Sequence, residues 1–164
     1  VTRHPAELAL SEHDAALLDK SGFVADPAAA AAARLDRGIR MQELIHRSLS
    51  VIDAAERLGV SAARIRQRLA DGTLWAFTSG RSRLLPPAQF TAAGGVRHLE
   101  KVMPRVAKDL HPLSLQALLT QPQPSLIVDG RPVSITAWLT GCASTARAIN
   151  QAADVVTAAA WAST

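Results

Sequence analysis

The stretch SVIDAAERLGVSAARIRQRLADG, residues 50–72, constrains this chain more than any other part of it. Ser50 followed by Asp53 has the form of a capping box, which predicts a helix over residues 51–58. Gly59 stands where the chain must turn, and glycine takes positive φ without a Cβ clash. Ser61 reads as the N-cap of a second helix over 62–70, which Asp71-Gly72 ends. Two helices crossing steeply over so short a turn need a small residue where they touch and a branched apolar one inside the second helix. Ala55 and Ile65 fill those places, and Leu58, Val60 and Leu69 are expected to complete the shared core. The pattern is that of a helix-turn-helix. Arg68 departs from it, because an aliphatic residue is usual there.

The second helix carries Arg64, Arg66 and Arg68, with Gln67 and the capping Ser61. Arginine suits both tasks of a recognition helix, clamping phosphates and making bidentate bonds to guanine, while Gln67 could pair with adenine. In GTLWAFTSGRSRLLPPAQF the residues alternate around Ser79-Gly80, which predicts a β-hairpin. A hairpin directly after a recognition helix is a wing. Arg81 and Arg83 at its tip could reach phosphates or the minor groove. Trp75 and Phe77 are expected to pack the wing onto the helices, because duplex DNA offers no exposed base faces for stacking. Double-stranded DNA is the partner this constellation implies.

Composition agrees. The 164 residues carry a net charge of +4, modest enough that its distribution matters more than its sum. Abundant alanine predicts a mostly α chain. A single cysteine, Cys142, excludes an internal disulfide framework and any multi-thiolate zinc site. No apolar run approaches the roughly 18 residues of a membrane span, and the N-terminal stretch carries acidic residues where a signal peptide needs an apolar core. A reducing, cytoplasmic setting is the expectation.

Outside the central stretch the pattern predicts helices. Ser11 with Asp14 opens one that Gly22 ends, and Asp26-Pro27 opens another. Gly38 should weaken that second helix, with Ile39, Met41, Leu44 and Ile45 buried beyond it. Residues 91–112 begin with a Gly-Gly loop and continue into a short helix with Val96, Leu99 and Val102 inward, until Pro104 disturbs it. A helix over about 113–120, a proline-broken loop (TQPQPSL), a turn at Asp129-Gly130 and a long Ala/Val-rich terminal helix follow. In that last helix Ile149, Ala152, Ala153, Val156 and Ala160 form an apolar stripe ending at Trp161, which is either intramolecular core or an oligomer or partner surface; a terminal tryptophan on a small-residue helix favours the partner surface, with Trp161 as anchor. The expected architecture is an N-terminal helical region (1–49) that could serve as a dimerisation arm, a winged helix-turn-helix (50–90) and a C-terminal helical domain (91–164).

SLSVIDAAERLGVSAARIRQRLADGTLWAF, LLPPAQF, LHPLSLQALLTQPQPSL and DGRPVSITAWLTGCASTARAINQAAD together resemble the Xre/MbcA/ParS-type antitoxins of type II toxin-antitoxin systems. The resemblance covers about residues 45–155 and places Gly130, Ser134, Trp138, Leu139 and Gly141 on the motif of the family's toxin-binding half. Ile135 stands where that motif has proline, and Cys142-Ala143 where it has Gly-Asp. The resemblance implies an antitoxin that binds operator DNA as a homodimer, represses its own operon and covers a cognate toxin, either a RES-domain NAD-consuming enzyme or a PIN-domain RNase. Trp138, Leu139, Val156 and Trp161 are then the expected toxin-binding or interface residues. The alternative is a stand-alone transcription regulator whose C-terminal half dimerises.

An enzyme is not expected. The five histidines show no metal-ligand spacing, no phosphate-binding glycine loop is present, and Cys142 with His111 reads as a buried thiol and an unrelated side chain. Neither a catalytic constellation, a metal nor a cofactor is implied.

Overall fold

Asp26 caps the first described helix, its carboxylate accepting the backbone N–H groups of Ala28 and Ala29 at 2.9 and 3.1 Å. Pro27 at the first helical position needs no such partner. In this computed structural model the described residues are 26–141 and 145–162, the last three as backbone only. The helix expected at Ser11 and Cys142 itself lie outside them. Residues 1–37 and 38–164 are two separate compact units. Of the first, only the opening turns of helix α1 (Pro27–Arg47) are described, and their side chains are exposed.

Gly38 does not interrupt α1. A substituent there would meet nothing within 4 Å, so the position is solvated and the helix tolerates the glycine at modest cost. Beyond it Leu44 is buried, with Met41 and Ile45 against the main core, whereas Ile39 is 52% exposed, contrary to the expectation. Only one edge of these turns faces the core.

The chain is mostly α-helical with small antiparallel sheets. Helix α2 (Val51–Leu58) and helix α3 (Ala62–Ala70) are joined by Gly59–Ser61. The Ser50–Asp53 capping box is formed in both directions, each bond at 3.1 Å. Gly59 sits at φ +64°, and the N–H groups of Gly59 and Val60 donate to the Glu56 and Ala55 carbonyls in a Schellman-type stop. Strand β1 (Leu49–Ser50) precedes α2, and β2 (Phe77–Ser79) and β3 (Ser82–Leu85) follow α3 in the sheet order β1-β3-β2. The hairpin is therefore present, and Leu49↔Leu85 and Ser50↔Leu84 add a third strand to it. A two-residue strand has no periodicity to betray it in sequence.

Side chains alternate along β3, so it serves two cores. Leu85 joins Ala54, Ala55, Ile65 and Leu74 in a small core under α2 and α3, with Leu49, Leu58 and Leu69 at its edge. Leu84 joins the main core, where Trp75 and Phe77 are also buried. These two aromatics do pack the hairpin, but against the C-terminal half: the Trp75 indole N–H donates to the Ala107 carbonyl at 3.4 Å.

The Gly-Gly pair is not a free loop. Strand β4 (Phe90–Thr91) pairs with β5 (Gly94–Gly95) beside α2, where a Cβ on Gly95 would meet Leu58 Cδ2 at 3.2 Å. Next come the short helix α4 (Leu99–Val102), with Val96, Leu99 and Val102 buried as expected, a 3₁₀ turn at Met103–Arg105, and α5 (Pro112–Thr120). The expected proline-broken loop is instead strand β6 (Gln123–Val128), paired with β7 (Arg131–Val133). Asp129 and Gly130 both take positive φ, +50° and +74°, as the two-residue hairpin turn requires. Helices α6 (Ile135–Gly141) and α7 (Ala146–Ala162) complete the fold. Among the described residues no helix is long and apolar enough to cross a membrane.

The capping box makes the small core's entry helix acid-sensitive. The Ser50 hydroxyl first, and its backbone N–H second, hold the Asp53 carboxyl below the usual carboxylate range. Its folded pKa is depressed, so its stabilisation is present above the unfolded value and lost as pH falls through the folded one. Thermal melting of wild type and Asp53→Asn should therefore differ at neutral pH and converge in acid. A gap that stays constant with pH would dissociate the carboxylate from the cap.

Candidate functional site

Five arginines surround α3 and the β2–β3 turn, and the local fold explains why they are outside. Ile65 is fully buried and Leu69 and Ala62 lean on the same small core, so this side of α3 is committed. At about 100° per residue the remaining side chains spread over an arc in the order Arg68, Arg64, Gln67, Ala63, Ala70, Arg66. Gln67 stands near its middle. Arg64 and Arg68 are about 40° apart, and Arg66 lies about 160° from both. The three arginines therefore do not share one face, as their clustering in sequence invites one to expect. Arg64 and Arg66 are exposed; Arg68, toward the core edge, is half-buried, and Leu69 supplies the apolar contact that Arg68 cannot.

Two of these side chains are already ordered. Arg64 Nη1 donates to Gln67 Oε1 at 2.8 Å, which aims the guanidinium and the amide outward together. Ser61 Oγ accepts the Arg64 backbone N–H at 3.2 Å, so the hydroxyl acts chiefly as the helix cap. Arg81 and Arg83 are exposed, one in the turn of the β2–β3 hairpin and one near the start of β3. Among the described residues none of Arg64, Arg66, Arg68, Arg81 or Arg83 makes an ion pair, whereas Arg105 is bound to Asp154 at 3.1 Å. Five guanidinium groups held in no ion pair form a surface that attracts a polyanion.

Val60, expected in the shared core, is 38% exposed instead. The Schellman-type stop turns it outward, and it lines a cavity of about 470 Å³ with Arg64, Arg68, Asp71, Thr73 and Glu100. On that flank of α3 the cations face two carboxylate residues across open space. No feature of the sequence brings Glu100 there, since it belongs to α4.

The C-terminal candidates fall differently. Leu139 and Val156 are each 1% exposed, inside the main core. Trp138 is half-buried, its indole N–H donating to the Ala148 carbonyl at 2.9 Å and tying α6 to α7. Ile149, Ala152 and Ala153 are buried with Val156, so the described part of the stripe is intramolecular core rather than a partner surface. Leu99, Val102 and the α6 and β6 faces supply the apolar cover that the stripe needs, and of these only α6 is its neighbour in sequence. The side chains of Ala160 and Trp161 lie outside the described residues. His111 Nδ1 accepts the Leu113 N–H at 3.2 Å and caps α5.

No family model matches the chain, and no curated protein matches its sequence. Among solved structures it is similar to the NMR structure of Rv2175c, with 20% identity and a TM-score of 0.46 over 66% of this chain and 80% of that one.

Proposed function

We propose that this chain binds duplex DNA through a winged helix-turn-helix, with α3 as recognition helix and the β2–β3 hairpin as wing, and acts as a transcription regulator. The observation that carries the reading is the outward arc of α3: Gln67 at its centre bonded to Arg64, with unpaired arginines on both flanks. A helix in the major groove reads bases with the middle of its exposed face and grips the two phosphate strands with its edges. Arg64 and Gln67 then face base edges, while Arg66, Arg68, Arg81 and Arg83 face phosphates.

The test uses the DNA upstream of the coding gene and a scrambled duplex. Arg64→Ala should weaken binding to the upstream DNA by about 1–3 kcal/mol and narrow its preference over the scrambled duplex. Arg66→Ala should weaken both duplexes alike and flatten the salt dependence. Equal affinity of Arg64→Ala and wild type for both would move the reading surface away from α3.

The antitoxin role is a further proposal, supported by the resemblance of residues 45–155. Leu139 and Val156 serve it as scaffold, since both are buried, and a toxin would dock on other side chains of the C-terminal half. Co-expression with each neighbouring gene tests it: a neighbour toxic alone and harmless with this chain supports it, and neighbours harmless alone exclude it.

A further inference from the structure

The two flanks of α3 differ in charge, and the difference depends on residues far from the helix. The flank carrying Arg64 and Arg68 shares its cavity with Asp71 and Glu100. The opposite side opens into a second cavity, of about 240 Å³, between the end of α3, the hairpin and the segment after α4. Leu69, Ala70, Gly72 and Pro104 give this groove a low apolar floor, and its two cationic walls are Arg83 of β3 and Lys108. No Asp or Glu lines it; Asp109 follows Lys108 in sequence but does not. Arg105, the other basic residue nearby in sequence, is occupied by Asp154.

A phosphate approaching Arg68 meets Asp71 and Glu100 as well, so attraction and repulsion offset there. Between Arg83 and Lys108 a phosphate meets positive charge alone. Arg83 and Lys108 are both exposed, so solvent and a strand can reach them. We infer that the Arg83–Lys108 groove is a second phosphate-binding point for the backbone of duplex DNA, in which the C-terminal half contributes Lys108 to a contact begun by the hairpin. At about 100° per residue Arg66 falls between Ala62 and Ala70, on the side of α3 whose end lines this groove. The inference rests on the DNA-binding reading and adds to it a residue outside the central stretch.

Salt titration of binding to a mixed-sequence duplex reads the number of neutralised phosphates directly, because the slope of log K against log salt is about −0.9 per phosphate. Lys108→Gln and Arg83→Gln should each reduce the slope's magnitude by about 0.9. Arg131→Gln, which removes the same charge at the start of β7 and outside the groove's lining, should leave it unchanged. A wild-type slope in Lys108→Gln, together with a reduced slope in Arg64→Gln, would overturn the groove and leave the recognition surface standing. Wild-type protein with no salt-dependent affinity for the duplex would overturn both.

Discussion

Replacing Gln89 with leucine is expected to cost about 2–6 kcal/mol of folding stability, one of the largest effects of any single polar change among the described residues. Gln89 is 1% exposed, and its amide closes a two-bond ring with the Trp75 backbone. Oε1 accepts the Trp75 N–H at 2.8 Å and Nε2 donates to the Trp75 carbonyl at 2.8 Å. The side chain thus does for residue 75 what a neighbouring strand would do, in a stretch that enters β2 without a ladder partner. Leucine keeps the space filled and water out, so it strands one donor and one acceptor, each costing about 1–3 kcal/mol. For a chain of this size the shift is about 2–4 °C of melting temperature per kcal/mol. Gln89→Glu supplies the control. A protonated carboxyl offers one donor and one acceptor, as the amide does, while the carboxylate offers no donor and brings a buried charge. Folding therefore raises the pKa of the introduced carboxyl, and its stabilisation is present in acid and lost as pH rises through the folded value. If Gln89→Leu melts with wild type, the ring is not holding the aromatic segment in place.

Ile65→Ala is expected to cost about 2–5 kcal/mol and to act locally. Ile65 is fully buried at the centre of a small core whose other buried members are Ala54, Ala55, Leu74 and Leu85. Two of those are alanines, so little apolar volume is left to close over the cavity. The main core lies on the other side of β3 and keeps Leu115, Leu119, Leu126, Ile135 and Leu139. Hydrogen exchange should show protection lost in α2 and α3 while α5 and α7 retain theirs, because sub-global units open at their own free energies. The proposed DNA binding should fall with α3. Uniform loss of protection across the chain would mean that the two cores unfold as one, and that β3 couples them.

The residues that end and begin helices were legible because their chemistry is local. Ser50, Asp53, Gly59 and Ser61 satisfy orphan backbone groups within three or four positions of themselves, and no distant neighbour is needed to make those bonds. The β2–β3 hairpin was legible for the same reason. The β6–β7 hairpin carried an equally local signal, Asp129-Gly130 with its two positive φ values, but the prolines of TQPQPSL masked the strand before it. Pro124 and Pro132 are tolerated because this two-stranded sheet consists of edges, where a missing N–H is harmless.

Periodicity shows that a helix has an apolar side; it does not say what meets that side. The stripe of α7 has the same spacing whether it faces a toxin, a second copy or its own chain, and only the arrival of α4, α6 and β6 made it core. Ile39 and Val60 went the other way, apolar by type and left outside because no element came to cover them. Charge behaved likewise: three nearby arginines and Asp71 could be counted in sequence, but Glu100 and Lys108 were assigned to opposite flanks of α3 by packing alone. Local bonds are decided by neighbours along the chain, whereas burial and electrostatic surroundings are decided by neighbours in space.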